Sequence, residues 1–321
     1  MNVTAKLRET IRELFSADKV DVFLAWEEGS LPMSSTPLFI TDGAQADRAI
    51  FDPRCGNNLS VYFTKDSRQF RGKRVGIAVK GCDARSLVLN IQENQVLRDM
   101  VVIVGVPCNG VIDGKKIRRR TGGKQVTEVM ENGDSVTLKG PEFSITLDRS
   151  EVLSSSCLRC VHPDATEYDV FLGEARAEVG NENRRKALDE VEALSSAQRW
   201  ERTRKEYEKC IRCYACRNVC PSCYCSECFV DQNDPQWIGG TCDVTDTVIF
   251  HLIRNLHVAG RCVECGACAR ACPMDIDLLL LNLKTAEEIK KRFGDTAGIR
   301  IDGRPVMAEF REDEKQEFIM G

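Results

Sequence analysis

Two groups of four cysteines are the residues of this chain whose types and spacing most directly predict chemistry. Both groups follow the spacing C-x2-C-x2-C-x3-C, and a proline comes directly after each. The first group is Cys210, Cys213, Cys216 and Cys220. The second group is Cys262, Cys265, Cys268 and Cys272. In this spacing three thiolates from one tight loop bind three corners of a 4Fe–4S cubane, and the fourth thiolate reaches a neighbouring cluster. The sequence therefore predicts two 4Fe–4S clusters.

The same spacing predicts that each cluster takes one cysteine from the other group. The first cluster would be held by Cys210, Cys213, Cys216 and Cys272. The second would be held by Cys262, Cys265, Cys268 and Cys220. A zinc ribbon is the alternative, because it also uses paired C-x2-C motifs. We favour clusters because each group carries four cysteines in the cubane spacing, whereas a zinc ion needs only four ligands in total.

Cysteines outside these groups predict a third metal site. The two further C-x2-C pairs are Cys157 with Cys160 and Cys225 with Cys228. Together they supply four thiolates, enough for a third 4Fe–4S cluster, and Cys223 could replace one member of the second pair. Structural zinc and buried free thiols are the alternatives. His162, beside the first pair, is interpreted as a hydrogen-bond donor to a ligand rather than as a ligand.

Three cysteines in the first half of the chain each lie within two residues of a glycine: Cys55, Cys82 and Cys108. Cys82 and Cys108 both follow apolar segments that predict strands, so we expect them at the carboxyl edge of a sheet, where ligands bind in open α/β folds. One interpretation is a further cluster held by these three thiolates and a fourth group. The other is that they are small residues packed in tight turns.

The elements that must position these cysteines can be predicted from hydrophobic periodicity. Residues 2–16 predict an amphipathic helix, and 20–27 predict a strand. The segments 75–80, 83–95 and 101–106 predict a βαβ unit in a parallel sheet, since both strands are continuously apolar. Asn132-Gly133 predicts a hairpin turn. Further helices are expected over residues 183–210 and 243–258.

These elements predict a mixed α/β and α+β fold of two domains, with a cut near residue 150. Residues 1–150 would form an α/β domain with a flavin or cluster site. Residues 151–295 would form a helical, dicluster ferredoxin-like domain, and 296–321 a polar extension. A length of 321 residues also favours two domains over one.

Composition excludes several classes of protein. The net charge of −4 argues against a protein that mainly binds nucleic acid. The N-terminus lacks the apolar core of a secretory signal, and no apolar run is long enough to predict a transmembrane segment. We therefore expect a cytoplasmic protein. In such a reducing compartment, 17 cysteines indicate metal rather than disulfides.

The sequence also resembles a known group of proteins. The cysteine blocks are similar to the dicluster ferredoxin domains of anaerobic oxidoreductases. CIRCYACRNVCPSCYCSECF (210–229), KGCDARSL (80–87) and VGVPCNGVID (104–113) resemble the iron–sulfur β subunits of deazaflavin-reducing hydrogenases and formate dehydrogenases, and the electron-input subunits of heterodisulfide-reductase-type complexes. The resemblance covers most of residues 50–295. It implies an electron carrier whose partners are other subunits of such a complex, although residues 1–54 lack the N-terminal cysteine cluster of the deazaflavin-reducing relatives.

The same relatives imply FAD as a further cofactor. Gly81, Cys82 and Asp83 open a predicted helix, and free backbone amides there could receive a phosphate. The sequence contains neither G-x-G-x-x-G nor G-x-x-x-x-G-K-[ST], so no nucleotide motif supports the site. A basic run over residues 115–124 would suit an acidic partner or a flavin phosphate, although we interpret it as a solvated hairpin face.

These observations favour an iron–sulfur electron-transfer subunit of an anaerobic oxidoreductase complex, which relays single electrons through several 4Fe–4S clusters. No Ser/His/Asp set or carboxylate pair indicates bond-making chemistry. The first alternative is a flavin- or deazaflavin-dependent oxidoreductase subunit with its own substrate site in the α/β domain. The second is a zinc-stabilised interaction protein.

Overall fold

A computed structural model of the chain describes residues 2–65, 67–176 and 178–308. The polar extension expected over 296–321 therefore lies largely outside the described residues. In the part of the chain that the structure describes, no helix is both long enough and apolar enough to cross a membrane.

The strands of the described residues form two separate sheets. They are β1 (Val22–Glu28), β2 (Ser35–Ile40), β3 (Val75–Val79), β4 (Val101–Gly105), β5 (Glu128–Asn132), β6 (Ser135–Gly140), β7 (Phe143–Asp148) and β8 (Val170–Phe171).

The α-helices of the described residues concentrate in the second half of the chain. They are α1 (Val3–Ser16), α2 (Val61–Lys65), α3 (Gly81–Gln92), α4 (Gly114–Arg120), α5 (Arg149–Val152), α6 (Ser155–Leu158), α7 (Glu182–Glu192), α8 (Ser196–Tyr207), α9 (Ala215–Asn218), α10 (Val244–His257), α11 (Ala267–Ala271) and α12 (Leu279–Phe293).

The larger sheet has the strand order β2-β1-β3-β4-β8. Strand β1 pairs antiparallel with β2, and the remaining pairs are parallel. The predicted βαβ unit is confirmed, because β3 and β4 are joined by α3 and pair in register from Val75 with Val101 to Val79 with Gly105. All five residues of β3 are buried, as expected of a parallel strand covered on both faces. This sheet brings the ends of β3 and β4 to one edge.

The smaller sheet is the antiparallel meander β5-β6-β7. Its first turn confirms the predicted hairpin: Asn132 pairs with Ser135, and Gly133 takes a φ of +60°. A positive φ is unstrained only for residues such as glycine, which explains the Asn-Gly pair at this turn.

Two expectations about the second half of the chain differ from the structure. Strand β8 lies beyond residue 150 but pairs with β4, so the chain still contributes to the first sheet after the expected cut. The single helix expected over 183–210 is two helices, α7 and α8. The break occurs because Ser195 caps α8, with its hydroxyl accepting from the amide of Gln198 while the Gln198 side chain accepts from the amide of Ser195.

The two largest hydrophobic cores of the described residues lie one in each half of the chain. The first packs α1 and α3 on the larger sheet and includes Phe23, Trp26 and Ile103, all fully buried. The second packs α10 against the cysteine loops, with Phe250, Cys216 and Cys272 among its buried residues. In the second core, cysteines stand where a helical domain of this size would otherwise bury aliphatic side chains.

Charged side chains connect the halves. Arg85 of α3 is buried and donates from Nε to the carbonyl of Ala297 (2.9 Å) and from Nη1 to that of Val263 (3.2 Å). Arg261 pairs with Glu93 at 2.6 Å. The cysteine-rich half is therefore docked against the helix that follows β3.

Candidate metal centres

The two cysteine groups fold into loops of the same shape. In the first loop Arg212 and Tyr214 have positive φ values of +49° and +58°, and in the second Glu264 and Gly266 have +61° and +69°. These positions are two and four residues after the first cysteine of each group. A short helix follows in both loops, α9 in the first and α11 in the second. Equal spacing has therefore produced equal backbone geometry.

The loops pack together so that the fourth cysteine of each lies beside the other group. Cys272 is close enough to Cys210 and Cys216 for their charges to interact. Cys220 stands in the same relation to Cys265 and Cys268. The structure thus brings together the cysteines of each predicted crossed set, with Cys213 beside Cys210 and Cys262 beside Cys265 and Cys268.

Burial controls the protonation of these thiols. Burial is the largest cause that raises the pKa of Cys265 to about 11, against the opposing charge of Arg270, and it also raises the pKa of Cys262 well above its usual value. Burial is also the largest cause of the raised pKa values of Cys210, Cys216 and Cys268. Free thiols here are neutral at pH 7, so metal binding at these residues must release protons.

Two cationic side chains, which the sequence did not predict to lie here, donate hydrogen bonds to the cysteine loops. Arg254 of α10 is buried and donates to the carbonyl of Cys216 at 3.1 Å. Lys115 of α4 donates to the carbonyls of Ala269 (3.0 Å) and Cys272 (2.6 Å). The basic run is therefore a helix whose first lysine binds the second loop, which corrects the solvated hairpin face expected from the sequence.

A second group of thiols lines a cavity of about 560 Å³ between the two halves, here called the junction cavity. Its cysteines are Cys82, Cys108, Cys157, Cys160 and Cys265. As predicted from the βαβ unit, Cys82 and Cys108 follow β3 and β4 at the carboxyl edge of the sheet. The cavity therefore combines that edge with the C-x2-C pair of α6 and with one cysteine of the second loop.

The pairs predicted to share the third site lie in different cavities. Cys225 and Cys228 line a cavity of about 190 Å³ together with Cys223. This cavity has no lining residue in common with the junction cavity that holds Cys157 and Cys160. The structure does not bring these four cysteines together: the 64 residues between the pairs lead the chain from one cavity to the other.

Cys55 also lies apart from Cys82 and Cys108. It is fully buried in the first core, within the turn where the amide of Asp52 donates to its sulfur at 3.4 Å. Burial, followed by the nearby Asp52, raises its pKa to about 12. For Cys55 the geometry favours the interpretation of a small residue packed in a turn.

The phosphate site considered at the start of α3 is covered by the chain itself. The amide of Gly81 donates to the carbonyl of Pro163 at 3.0 Å, and a Cβ on Gly81 would lie 2.3 Å from the carbonyl oxygen of His162. The Asp83 carboxylate accepts from the amide of Lys80 and pairs with its Nζ at 2.8 Å. Gly81 is needed here for close backbone packing.

His162 lies between two cavities rather than beside the thiols alone. Burial lowers its pKa to about 4, so the ring is neutral at pH 7. Among the described residues, its Nε2 has no hydrogen-bond partner. The ring therefore has one buried nitrogen without a partner among the described residues, and its role as a donor to a ligand stays a prediction.

No group of three or more Cys, His, Asp or Glu side chains in the described residues is arranged to hold a single metal ion. A zinc site needs such convergence, because four thiolates bind one ion at about 2.3 Å. The thiolates of a 4Fe–4S cluster each bind a different iron, so they have no common point.

Comparison with known proteins shows what the chain is similar to. No protein-family model matches it. The β subunit of F420-dependent formate dehydrogenase from Methanocaldococcus jannaschii is 23% identical over 341 residues, covering 87% of this chain and 88% of the relative. The β subunit of F420-dependent formate dehydrogenase 1 from Methanococcus maripaludis is 23% identical, covering 90% and 89%. The chain is therefore related to the β subunits of F420-dependent formate dehydrogenases, which confirms this part of the resemblance.

Among solved structures, a chain of the F420-reducing NiFe hydrogenase complex from Methanosarcina barkeri aligns with a TM-score of 0.39 and 15% identity. The alignment covers 65% of this chain and 89% of that chain.

Proposed function

We propose that the chain is the iron–sulfur electron-transfer subunit of an oxidoreductase complex, passing single electrons between partner subunits. The observation that carries the proposal is the reciprocal packing of the two cysteine loops, in which Cys220 and Cys272 each lie beside the other group. The relationship to β subunits of formate dehydrogenases supports a place in a multisubunit oxidoreductase. A cytoplasmic, reducing compartment would keep these cysteines available as ligands.

The residues around the loops would hold the clusters and set their potentials. A bound 4Fe–4S cluster supplies one-electron chemistry, with a potential that depends on net charge, burial and hydrogen bonds to sulfur. Amides donate to the sulfurs, as from Arg212 to Cys210 at 3.4 Å. The Arg254 guanidinium is surrounded by Cys268, Cys220, Cys223 and Cys216. This buried positive charge offsets the thiolates and would favour the reduced, more negative state.

Metal analysis of the anaerobically purified chain tests the proposal. Two cubanes predict about eight irons and about eight acid-labile sulfides per chain. Fewer than about four irons after anaerobic reconstitution would contradict the assignment. A colourless protein that contains zinc and no iron would instead select the zinc-stabilised interaction protein.

The second candidate is a flavin- or deazaflavin-dependent oxidoreductase subunit, and it rests on the names of the F420-dependent relatives. A cavity of about 230 Å³ has both cationic and acidic side chains in its lining, and Arg184 and Lys290 there are paired with Glu264 and Glu178. A stoichiometric flavin released on denaturing the purified chain would favour this candidate. Iron without flavin favours the simple relay.

A further inference from the structure

A small cavity beside α10 holds cysteines that neither crossed set uses. Cys223, Cys225 and Cys228 line this cavity of about 190 Å³, here called the α10 cavity. A 4Fe–4S cluster held by cysteines alone takes four thiolates, whereas the described residues of this lining supply three. Among the described residues these thiols also do not converge on one point, as a zinc ion would require. Thiol chemistry without a metal is therefore the function to consider here.

Cys225 and Cys228 form a C-x-x-C pair, with only Ser226 and Glu227 between them. Both are free thiols in the structure; Cys225 is exposed, and Cys228 is half-buried. In a reducing compartment this spacing is typical of a thiol pair that is reversibly oxidised to a disulfide. Because Cys225 is exposed, a disulfide substrate can reach it from solvent.

Cationic side chains adjoin these thiols. The guanidinium of Arg217 donates to the sulfur of Cys228 and pairs with Asp231 at 2.6 Å. Arg261 also lines the α10 cavity, and its guanidinium carbon lies 4.8 Å from the centre of the Tyr224 ring. Positive charge beside a cysteine stabilises the thiolate, which is the form that attacks a disulfide. The α10 cavity thus favours thiol–disulfide exchange.

The α10 cavity also adjoins the two cluster loops. Arg254 lines it, and the charge of Arg254 interacts with Cys223 as well as with Cys216 and Cys268, which belong to different crossed sets. The amide of Cys223 donates to the carbonyl of Cys220 at 3.2 Å. The chain therefore runs directly from an assigned cluster ligand into the cavity, and the thiol pair lies next to both proposed clusters.

Reduction of a disulfide to two thiols consumes protons as well as electrons. His257, the exposed last residue of α10, is in the lining of the cavity. Its ring packs edge-on against Phe229, with the ring centres 5.3 Å apart. An imidazole can carry protons between solvent and such a site near neutral pH. The cavity thus combines a thiol pair, positive charge and a proton carrier.

We propose that Cys225 and Cys228 are a redox-active dithiol, which takes two electrons from the clusters and passes them to a disulfide substrate. The proposal rests on the electron-transfer function proposed above, because the clusters are the reductant. Two one-electron steps oxidise the clusters and break the bond between the two sulfurs, and two protons convert these sulfurs to thiols. The Cys225 thiolate then attacks the substrate disulfide and releases one substrate thiol. Cys228 attacks the resulting mixed disulfide, which releases the second substrate thiol and restores the bond between Cys225 and Cys228.

Anaerobic reductive titration of the full, iron-loaded chain tests this dithiol. The wild type should take up about two electrons per chain beyond those of its clusters, since a disulfide is a two-electron couple. Cys225→Ser and Cys228→Ser should each lose these electrons and keep the full iron content and every paramagnetic signal. Cys242→Ser is the matched control, because Cys242 is also exposed and belongs to neither crossed set. This control should keep the additional electrons.

A disulfide probe tests the second half of the reaction. The reduced wild type, freed of excess reductant, should convert bis(2-hydroxyethyl) disulfide to its thiol, and Cys225→Ser should lose this reaction. Alkylation of the wild type gives a measurement that needs no variant. Iodoacetamide should label Cys225 and Cys228 in the reduced chain and neither of them in the oxidised chain.

Several results overturn the proposal and distinguish its failure from failure of the relay. A chain with its full iron and no additional electrons refutes the dithiol while the relay stands. Loss of iron in Cys225→Ser or Cys228→Ser would make these cysteines cluster ligands. Loss of the additional electrons in Cys242→Ser, or labelling of both cysteines in the oxidised wild type, also refutes the pair. Fewer than about four irons after reconstitution refutes the relay and, with it, the electron source of the dithiol.

Discussion

At the scale of single residues, buried charge is the feature with the clearest functional consequence. Arg254 is 6% exposed, and its Nε has no hydrogen-bond partner among the described residues. Burial alone would lower its pKa, but the thiols around it outweigh burial and raise the pKa well above its usual value. The guanidinium therefore stays charged and compensates the negative sulfurs of both loops.

Replacing Arg254 should shift the potential of the bound clusters. The variant Arg254→Gln removes a positive charge, so the more negative reduced state is disfavoured and the midpoint potential should fall by on the order of 60 mV, about tenfold in the one-electron equilibrium. Arg254→Lys retains the charge and is the matched control. Redox titration followed by electron paramagnetic resonance measures both. Equal potentials in the wild type and the Gln variant would show that Arg254 only packs.

His251 makes stability depend on pH. Its ring is 4% exposed and stacks on Tyr207 at 4.3 Å, and burial together with Arg254 and Arg212 lowers its pKa to about 4. In the unfolded chain the imidazole of His251 takes up a proton near pH 6.5. In the folded chain it stays neutral down to about pH 4. The free energy of unfolding should therefore fall by about 1 kcal/mol through this residue between pH 7.5 and 5.5.

The variant His251→Phe keeps an aromatic ring and removes the titration. Its stability should decline less than that of the wild type over the same pH range, as measured by anaerobic denaturation at each pH. Identical pH dependence in the two proteins would assign the effect to other groups.

At the scale of elements, the two short helices α9 and α11 explain why the fourth cysteine of each group lies beside the other group. They pack on each other, and each carries its fourth cysteine at or just beyond its C-terminal end. The loop that begins at Cys262 thus places Cys272 beside Cys210, and the equivalent placement holds for Cys220 and Cys265. The proposed crossed ligation therefore needs only the packing of these two helices.

Crossed ligation has a distinct spectroscopic signature. Cys220→Ser should perturb the cluster held by Cys262, Cys265 and Cys268, because serine is a poorer iron ligand than thiolate. Cys272→Ser should perturb the cluster of the first loop. Mössbauer or paramagnetic spectra of the two variants decide this. A Cys220→Ser variant that disturbs only the first-loop cluster would contradict the crossed sets.

At the scale of the whole molecule, docking of the two halves depends on a few buried charged contacts. Arg85 donates to two carbonyls of the cysteine-rich half, and Gly298 lies so close to Arg85 that an added Cβ would meet its carbonyl oxygen at 2.1 Å. The tight fit brings the junction cavity and the second loop together. Electron transfer between halves would depend on this contact being kept.

Loss of the Arg85 contacts should therefore loosen the junction. Arg85→Ala leaves two buried carbonyls without their donors, and we expect a loss of about 2 kcal/mol or more in the free energy of unfolding. Lys290→Ala, which removes an exposed ion pair with Glu178, should change stability by less than about 1 kcal/mol. Hydrogen exchange of α3 should increase in the first variant. Unchanged exchange there would mean that other contacts hold the halves together.

Local patterns in the sequence were enough to predict the elements nearest to the chemistry. Each group of four cysteines spans eleven residues, and its spacing alone predicts a cluster-binding loop. Strands β3 and β4 are predicted by continuous apolar runs, and α3 by a helical period. Such features depend on neighbouring residues alone, so they can be read without the fold. The position of Cys82 and Cys108 at one sheet edge belongs to the same class, because parallel strands place their ends together.

Only the tertiary structure decided which distant residues meet. The sequence joins Cys157 and Cys160 to Cys225 and Cys228 because the motifs match, whereas the folded chain places the first pair with Cys82 and Cys108. The placements of Arg254 and Lys115 against the cysteine loops were likewise not predictable. These groupings bring together residues that lie about 40 to 150 positions apart in the chain. Contacts between residues so far apart leave no local pattern in the sequence.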